Sequence, residues 1–165
     1  MVALLDDLRH AQLGPSVSHY NIAIDRAAKD LDWPAALKLF YSLTEIDKLT
    51  PTVVTYNLAL RACEKTGQWE RAVSLFKAMT ERHGVYPNVL TIASTVGALS
   101  RGGQWTAVLD LVETASSKHG LALSPHSYNE ALSACLNAHN GAHWLRAIEL
   151  IDAMRARGLA PDYRG

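Results

Sequence analysis

Apolar residues along this chain fall at the spacing of one helix face, and the arrangement returns every 36 residues. In the segment from Tyr56 they occupy positions i, i+3, i+4 and i+7, which is the spacing of an amphipathic helix. The same positions, one period earlier and one and two periods later, are Tyr20, Ala23, Ile24 and Ala27; Ile92, Thr95, Val96 and Leu99; and Tyr128, Ala131, Leu132 and Cys135. The pattern predicts a first helix in each of four units.

A second helix follows each first one. It starts near Trp69 in the second unit, after a turn that contains Gly67, and Pro87 closes the unit. Its apolar residues and their counterparts are Ala72, Leu75, Phe76 and Met79; Ala36, Leu39, Phe40 and Leu43; Val108, Leu111, Val112 and Ala115; and Ala147, Leu150, Ile151 and Met154. No segment alternates with a period of two residues. We therefore predict an all-α fold, a right-handed α-solenoid of helix-turn-helix hairpins.

The register of the repeats predicts one continuous solenoid domain. Residues 1–16 align without a gap with residues 147–162, so we expect the chain to begin with a half repeat that is a second helix only. The predicted units are repeats 17–52, 53–88, 89–124 and 125–162, followed by 163–165 as the start of a further repeat or a tail. Because no polar capping helix follows, we expect a partner to cover the C-terminal end, or the chain to be a fragment of a longer array.

Composition narrows the function classes. Among 165 residues, 48% are hydrophobic, and 16 basic residues balance 16 acidic ones, so any polyanion would need a local basic stripe. No apolar run reaches the length of a membrane span, and no targeting peptide is visible at the N-terminus. Cys63 and Cys135 share one repeat position two units apart, at roughly 20 Å. That distance excludes a disulfide, and we expect two reduced core residues.

A polar stripe lies opposite the packed face of each first helix, at i, i+4 and i+8. Its members are Asn21, Asp25 and Lys29; Asn57, Arg61 and Lys65; Ala93, Gly97 and Arg101; and Asn129, Ser133 and Asn137. Small and amide residues allow a ligand backbone to approach, and Lys29, Lys65 and Arg101 form a periodic cationic row that could neutralise phosphates. The alternative is a solvated surface whose cations stabilise the helix dipoles.

The sequence gives little support for a catalytic site or a metal-binding site. Cys135, His139 and His143 have helical spacing, but Cys135 lies on the predicted buried face and no fourth ligand is evident, so we expect no metal site. The tryptophans at helix starts are expected to pack between helices. No nucleophile–base motif, phosphate-binding glycine loop or paired acidic motif occurs. We therefore predict a non-catalytic protein without a cofactor.

The repeat resembles the pentatricopeptide repeat family. The phrase Val-Thr-Tyr-Asn at 54–57, the turn glycine Gly67 and the closing sequence Gly-Leu-Ala-Pro-Asp at 158–162 carry the resemblance. The third unit departs from it, with Ile92-Ala93 in place of Tyr-Asn and Leu123 in place of the closing proline. The fourth unit carries a three-residue insertion around residues 140–143.

By this resemblance, each repeat reads about one RNA base with the residue after the tyrosine and the last residue of the repeat. Apolar residues at Val54 and Leu90 would flank the base, whereas Ser18 and His126 stand at the equivalent positions. Phosphate contacts would come from Lys29, Arg61, Lys65 and Arg101. The base-reading pairs are Asn21 with Thr52, Asn57 with Asn88, Ala93 with Ser124, and Asn129 with Asp162.

Two functions from different classes are compatible with the sequence. The resemblance implies a module that binds single-stranded RNA, pyrimidine-rich by its asparagines, in the RNA metabolism of a mitochondrion or plastid. The alternative is a protein–protein scaffold or an accessory subunit of a large organellar assembly such as a ribosome. A third interpretation is a fragment of a long RNA reader. The compartment follows from the family alone.

Overall fold

The computed structural model describes residues 14–121, 123–136, 144–156 and 158–159. Within them the chain forms eight α-helices and no strand, which confirms the all-α prediction. Most of the predicted half repeat at 1–16 lies outside the described residues, as does the segment at 163–165. The helices are α1 (Val17–Lys29), α2 (Trp33–Tyr41), α3 (Val53–Thr66), α4 (Trp69–Glu81), α5 (Val89–Arg101), α6 (Trp105–His119), α7 (Pro125–Leu136) and α8 (Trp144–Ala156).

The helices stack as hairpins. Each first helix (α1, α3, α5 and α7) packs against the second helix that follows it, and adjacent first helices pack against each other, α1 on α3, α3 on α5 and α5 on α7. The most extensive contact joins α3 and α5. Each hairpin can bury its apolar stripe only against its neighbours, so the buried residues form clusters that extend across adjacent hairpins. The first helices therefore lie side by side in a layer that presents one exposed surface.

The start of each first helix is encoded by a pair of polar residues three positions apart. Ser16, Thr52 and Asn88 are the N-cap residues of α1, α3 and α5, and each forms a capping box with the third residue of its helix. Such caps satisfy backbone N–H groups that have no partner within the helix. At α7 the hydroxyl of Ser124 accepts a hydrogen bond from the Ser127 amide at 3.2 Å.

Glycine serves two different purposes at the turns. Gly67 ends α3 with φ of 69°, a left-handed conformation that residues with a Cβ rarely adopt. Gly102, at the end of α5, has an ordinary φ of −80°. Here the requirement is space, because a Cβ at Gly102 would lie 2.3 Å from Cδ1 of Trp69. The predicted packing role of this tryptophan is therefore confirmed.

The tyrosines of the repeat motif are core residues with a specific hydrogen bond. Tyr20 and Tyr56 are completely buried. The Tyr20 phenol donates to Asp47 Oδ2 at 2.5 Å, and the Tyr56 oxygen lies 2.6 Å from Nδ1 of His83. Both partners are 27 residues further along the chain. Each bond therefore ties a first helix to the segment that leaves the second helix of the same hairpin.

Both cysteines are free and buried, as expected from the sequence. Burial raises the pKa of the Cys63 thiol to about 11, and it also raises the pKa of Cys135. Burial raises the pKa of the Tyr56 phenol to about 12. All three groups are therefore neutral near pH 7.

The first hairpin departs from the predicted pattern at its end. The sequence predicts one regular second helix that reaches Leu43, but the chain changes at Ser42–Ile46 to a π-helical turn. The Asp47 amide bonds to the Ser42 carbonyl at 3.1 Å. In this arrangement Leu43 stays fully buried while Asp47 meets the Tyr20 phenol. Periodicity alone could not reveal the turn, because Leu43 keeps its core position.

Candidate nucleic-acid interface

A cleft of about 490 Å³ lies between α3 and α5 on the layer of first helices. The predicted pair Asn57 and Asn88 lines it, together with Ala93. Val54 and Leu90, the predicted base-flanking residues, also line the cleft and are 52% and 65% exposed. Two of the predicted phosphate contacts, Arg61 and Lys65, lie along the same cleft. The helix packing therefore brings together residues from adjacent repeats that are distant in sequence.

A hydrogen-bonded network joins the pair in this cleft. The Asn57 amide nitrogen donates to Asn88 Oδ1 at 3.2 Å, and the Thr91 hydroxyl donates to Asn57 Oδ1 at 2.7 Å. The Thr91 backbone N–H donates to Asn88 Oδ1 at 3.0 Å. Because these bonds hold both amides in place, their remaining polar atoms have a defined direction in the cleft.

The last residue of each predicted pair has a structural role as well. Thr52 and Asn88 are the N-caps of the following first helices, and Ser124 makes the equivalent contact at α7. The cap explains an oxygen-bearing side chain at these positions without any ligand. Residue type at this position is therefore not by itself a sign of base recognition.

The other predicted pairs are arranged differently. In the first hairpin, Asn21 Oδ1 is buried and has no hydrogen-bond partner in the described part of the chain. The Thr52 hydroxyl does not bond to it and lies instead 3.1 Å from the Thr55 hydroxyl. Asn129 is partly buried on α7, and Asp162 lies outside the described residues. The Asn57–Asn88 cleft is thus the site that the described geometry defines best.

The four predicted phosphate-binding cations are not equivalent. Lys29 Nζ lies 2.6 Å from Asp25 Oδ2, and Arg61 Nη1 lies 3.8 Å from Asp25 Oδ1. Lys65 and Arg101 are exposed and have no carboxylate within 4.0 Å in the ranges that the structure describes. The cationic row is therefore partly neutralised near α1 and open near the ends of α3 and α5.

One member of the predicted polar stripe is misplaced. The spacing puts Gly97 on the exposed surface, but the structure buries it. A Cβ at Gly97 would lie 2.8 Å from Cγ of Glu64, so the Glu64 side chain crosses the space that a larger residue would fill. Close packing of α3 on α5 causes this, and Gly97 serves the helix contact rather than ligand access.

Sequence reasoning missed the polar residue at the third helical position of each first helix. Thr55, Thr91 and Ser127 are fully buried, and Thr91 connects both amides of the cleft. The signal was present, since these residues and His19 recur at the 36-residue period, three positions after the N-caps. Their recurrence would have indicated capping boxes.

The described ranges contain neither a cluster of metal-ligating side chains nor a helix that could span a membrane. Within them, no group of three or more His, Cys, Asp or Glu side chains could hold a metal ion. Cys135 is buried, and His139 and His143 lie outside the described residues. None of the described helices combines the length and the apolar character that crossing a membrane requires.

Stacked two-helix units with a polar cleft between first helices define a helical-repeat protein of the α-solenoid class. Two family models match the chain, the pentatricopeptide repeat domain over residues 3–65 and the PPR repeat family over residues 51–101. Together with the structural matches below, they establish that the chain belongs to the pentatricopeptide repeat family. No curated protein matches the chain at a significant level.

Solved structures of repeat proteins resemble this chain along nearly its whole length. The pentatricopeptide repeat protein PPR10 from maize is 28% identical with a TM-score of 0.68, and the match covers 98% of this chain and 22% of PPR10. PPR10 in complex with an 18-nt psaJ RNA element is 26% identical with a TM-score of 0.71, over 96% and 23%. The chain thus spans under a quarter of the length of PPR10.

A second protein shares the fold. The PPR domain of Arabidopsis thaliana protein-only RNase P 1, in complex with tRNA, is 16% identical with a TM-score of 0.75. The match covers 93% of this chain and 80% of that domain.

Proposed function

We propose that this chain is a non-catalytic module that binds single-stranded RNA along its first helices. The observation that carries the proposal is the cleft between α3 and α5, where a fixed amide pair lies beside exposed apolar and cationic side chains. The PPR10 structure with an 18-nt RNA element, 26% identical to this chain, supports the same ligand class.

The cleft offers the groups that an unpaired base needs. Amide side chains present both a donor and an acceptor, so Asn57 and Asn88 can pair with a base edge. Val54 and Leu90 are exposed enough to contact the two faces of a base. When a base enters the cleft, these side chains would contact the base in place of water, and no core residue would have to move. By family resemblance we propose a preference for pyrimidines.

Phosphate contacts are proposed for the open part of the cationic row. Lys65 lines the cleft, and Arg101 occupies the equivalent position on α5. The chain has no net charge, so attraction to RNA depends on such local cations. We place this activity in RNA processing, stability or translation in a mitochondrion or plastid, on the strength of the family.

The proposal is tested by measuring the affinity for a short uridine-rich RNA at several salt concentrations. Fluorescence anisotropy of a labelled oligonucleotide reports the dissociation constant. The double variant Lys65→Ala/Arg101→Ala should bind more weakly at low salt and lower the slope of log K against log salt by about 1.4, since each phosphate contact on a single strand contributes about 0.7.

A matched control removes the same charge from the layer of second helices. Lys38 in α2 and Lys77 in α4 are exposed, so Lys38→Ala/Lys77→Ala should leave the salt slope unchanged. Equal losses in the two double variants would show a general charge effect and contradict the proposed surface. Absence of binding by the unaltered chain at low salt would refute the RNA function.

A scaffold function is the second candidate, favoured by one observation. Leu145 and Ile148 on α8 are 56% and 44% exposed, and adjacent apolar residues at the surface are typical of contact sites. A protein partner at the C-terminal end would cover them. Cross-linking from Leu145→Cys in a native organellar extract, compared with Val54→Cys, would locate such a partner.

A further inference from the structure

Asp25 is an acidic residue at the centre of the polar stripe of α1, next to the proposed RNA-binding cleft. It lies one helical turn after Asn21 and one turn before Lys29 on the exposed stripe of α1. Its carboxylate contacts Lys29 on its own helix at 2.6 Å and approaches Arg61 on α3 at 3.8 Å. One carboxylate therefore serves two of the four cations assigned to phosphate contacts.

A phosphate that approaches Lys29 or Arg61 has to compete with this carboxylate. The Asp25 side chain is 30% exposed, and those of Lys29 and Arg61 are 58% and 46% exposed. Ion pairs of this exposure are weak enough for RNA to break them. The displaced carboxylate would nevertheless stay on the same stripe and repel the phosphate.

Arg61 connects this ion pair to the cleft. The same side chain that approaches Asp25 also lines the space between α3 and α5. Lys65, one turn further along α3, lines the cleft too, and the structure gives it no carboxylate partner in the described ranges. On α3, Arg61 is therefore partly neutralised by Asp25, whereas the charge of Lys65, one turn further along, is available to a phosphate.

We infer that the Asp25 carboxylate competes with RNA phosphates for Lys29 and Arg61. Because Asp25 occupies these two cations, phosphate contact is directed to Lys65 and Arg101. The inference rests on the proposed RNA binding and specifies where along the solenoid the RNA binds. RNA engages the cleft between the second and third hairpins, while the surface of the first hairpin contributes little affinity. Asp25 is therefore a positioning residue that sets both the strength and the place of binding.

The test compares Asp25→Asn with Asp30→Asn, using the labelled uridine-rich RNA and the full chain. Asp30 is a close match, because it directly follows α1, forms an i, i+4 pair with Arg26 at 2.9 Å and carries the same charge. Asp25→Asn should bind about three- to tenfold more tightly at low salt, with a salt slope steeper by up to about 1.4 as two cations become available. Asp30→Asn should stay within about twofold of the unaltered chain.

A second comparison asks whether Lys29 is the cation released. Lys29→Ala should change affinity by less than about twofold in the unaltered chain, where Asp25 already neutralises it. In the Asp25→Asn background the same change should cost about threefold or more. This dependence of one substitution on the other is the signature of competition, and a general charge effect would not produce it.

The outcomes separate the two proposals. If the unaltered chain binds RNA and Asp25→Asn matches Asp30→Asn, the competition is refuted while RNA binding stands. If Asp25→Asn alone binds, the unaltered chain does not bind RNA, so both the RNA function of the unaltered chain and the inferred direction of phosphates to Lys65 and Arg101 are refuted. If no variant binds at low salt, both proposals are overturned. Circular dichroism of each variant verifies that the helices are intact.

Discussion

At the residue scale, Asn88 combines two functions that can be separated by substitution. Its side-chain oxygen caps α5 and accepts the hydrogen bond from Asn57. An aspartate retains an oxygen for the cap and carries a charge that is favourable at a helix N-terminus, whereas an alanine retains neither. Comparison of the two variants therefore separates the contribution of Asn88 to helix stability from its contribution to base recognition.

For Asn88→Ala we expect a loss of about 1 kcal/mol in the free energy of unfolding, because the cap is removed. Asn88→Asp should leave that free energy nearly unchanged. By family resemblance it should also shift relative affinity towards uridine over cytidine. Urea unfolding and anisotropy with U-rich and C-rich RNAs measure the two effects. A selectivity that is the same in Asn88→Asp and in the unaltered chain would show that Asn88 is only a cap.

The buried Cys63 thiol predicts a dependence of stability on alkaline pH. Its pKa is raised from 9.0 to about 11, so the folded chain favours the neutral thiol. This contribution is fully present below pH 9.0 and is lost as pH rises towards about 11. Tyr56, whose pKa is raised from 10.0 to about 12, acts in the same direction at higher pH.

The measurement is urea unfolding between pH 7 and 11 for the unaltered chain and Cys63→Ala. Alanine is a suitable replacement because Ala27 holds the equivalent position in the first hairpin. The difference in unfolding free energy between the two proteins should change by about 2–3 kcal/mol over this interval, to the disadvantage of the unaltered chain, at about 1.36 kcal/mol per pKa unit. A difference independent of pH would mean that the folded chain does not hold the thiol neutral.

At the scale of elements, the contact between the start of α4 and the end of α5 depends on the absence of a side chain. Gly102 has backbone angles that alanine also adopts, so a substitution there introduces no backbone strain. The added Cβ would instead overlap Trp69, which must move. The cost is therefore one of packing between adjacent hairpins.

Gly102→Ala should lower the free energy of unfolding by about 1–3 kcal/mol, as overpacking does elsewhere. The control is Gly14→Ala, where the added Cβ meets nothing within 4 Å. Urea unfolding of both proteins is the measurement. Trp69→Leu in the Gly102→Ala chain should recover part of the loss, and strict additivity of the two changes would contradict the proposed overlap.

The elements also show how far the pattern of residues predicted the fold. The apolar spacing from Tyr56 to Cys63 predicted α3, and equivalent spacing predicted the other helices of the described chain. The π-helical turn at Ser42–Ile46 was not predicted, because it adds a residue to a turn without moving Leu43 out of the core. The burial of Gly97 beneath the Glu64 side chain was not predicted either, because the spacing of apolar residues does not specify the distance between two packed helices.

At the scale of the whole molecule, the solenoid is a sum of neighbour contacts. One core cluster centres on the first two hairpins, and another on α5 to α8. They interlock, because Ala98 of α5 belongs to the first cluster while Trp69 and Phe76 of α4 pack against the second. The proposed RNA surface is distributed in the same way, since the cleft between α3 and α5 needs first helices from two adjacent hairpins.

The sequence by itself determined the helical repeat, the buried tyrosines and cysteines, and most of the polar stripe, of which Gly97 proved to be buried. These properties follow from local spacing, which sets the side of a helix on which each residue lies. The tertiary structure decided which stripe residues meet. It linked Asn57 to Asn88 through Thr91, and it placed Asp25 against Lys29 and Arg61. Contacts between hairpins depend on the offset and separation of packed helices, and local spacing contains neither quantity.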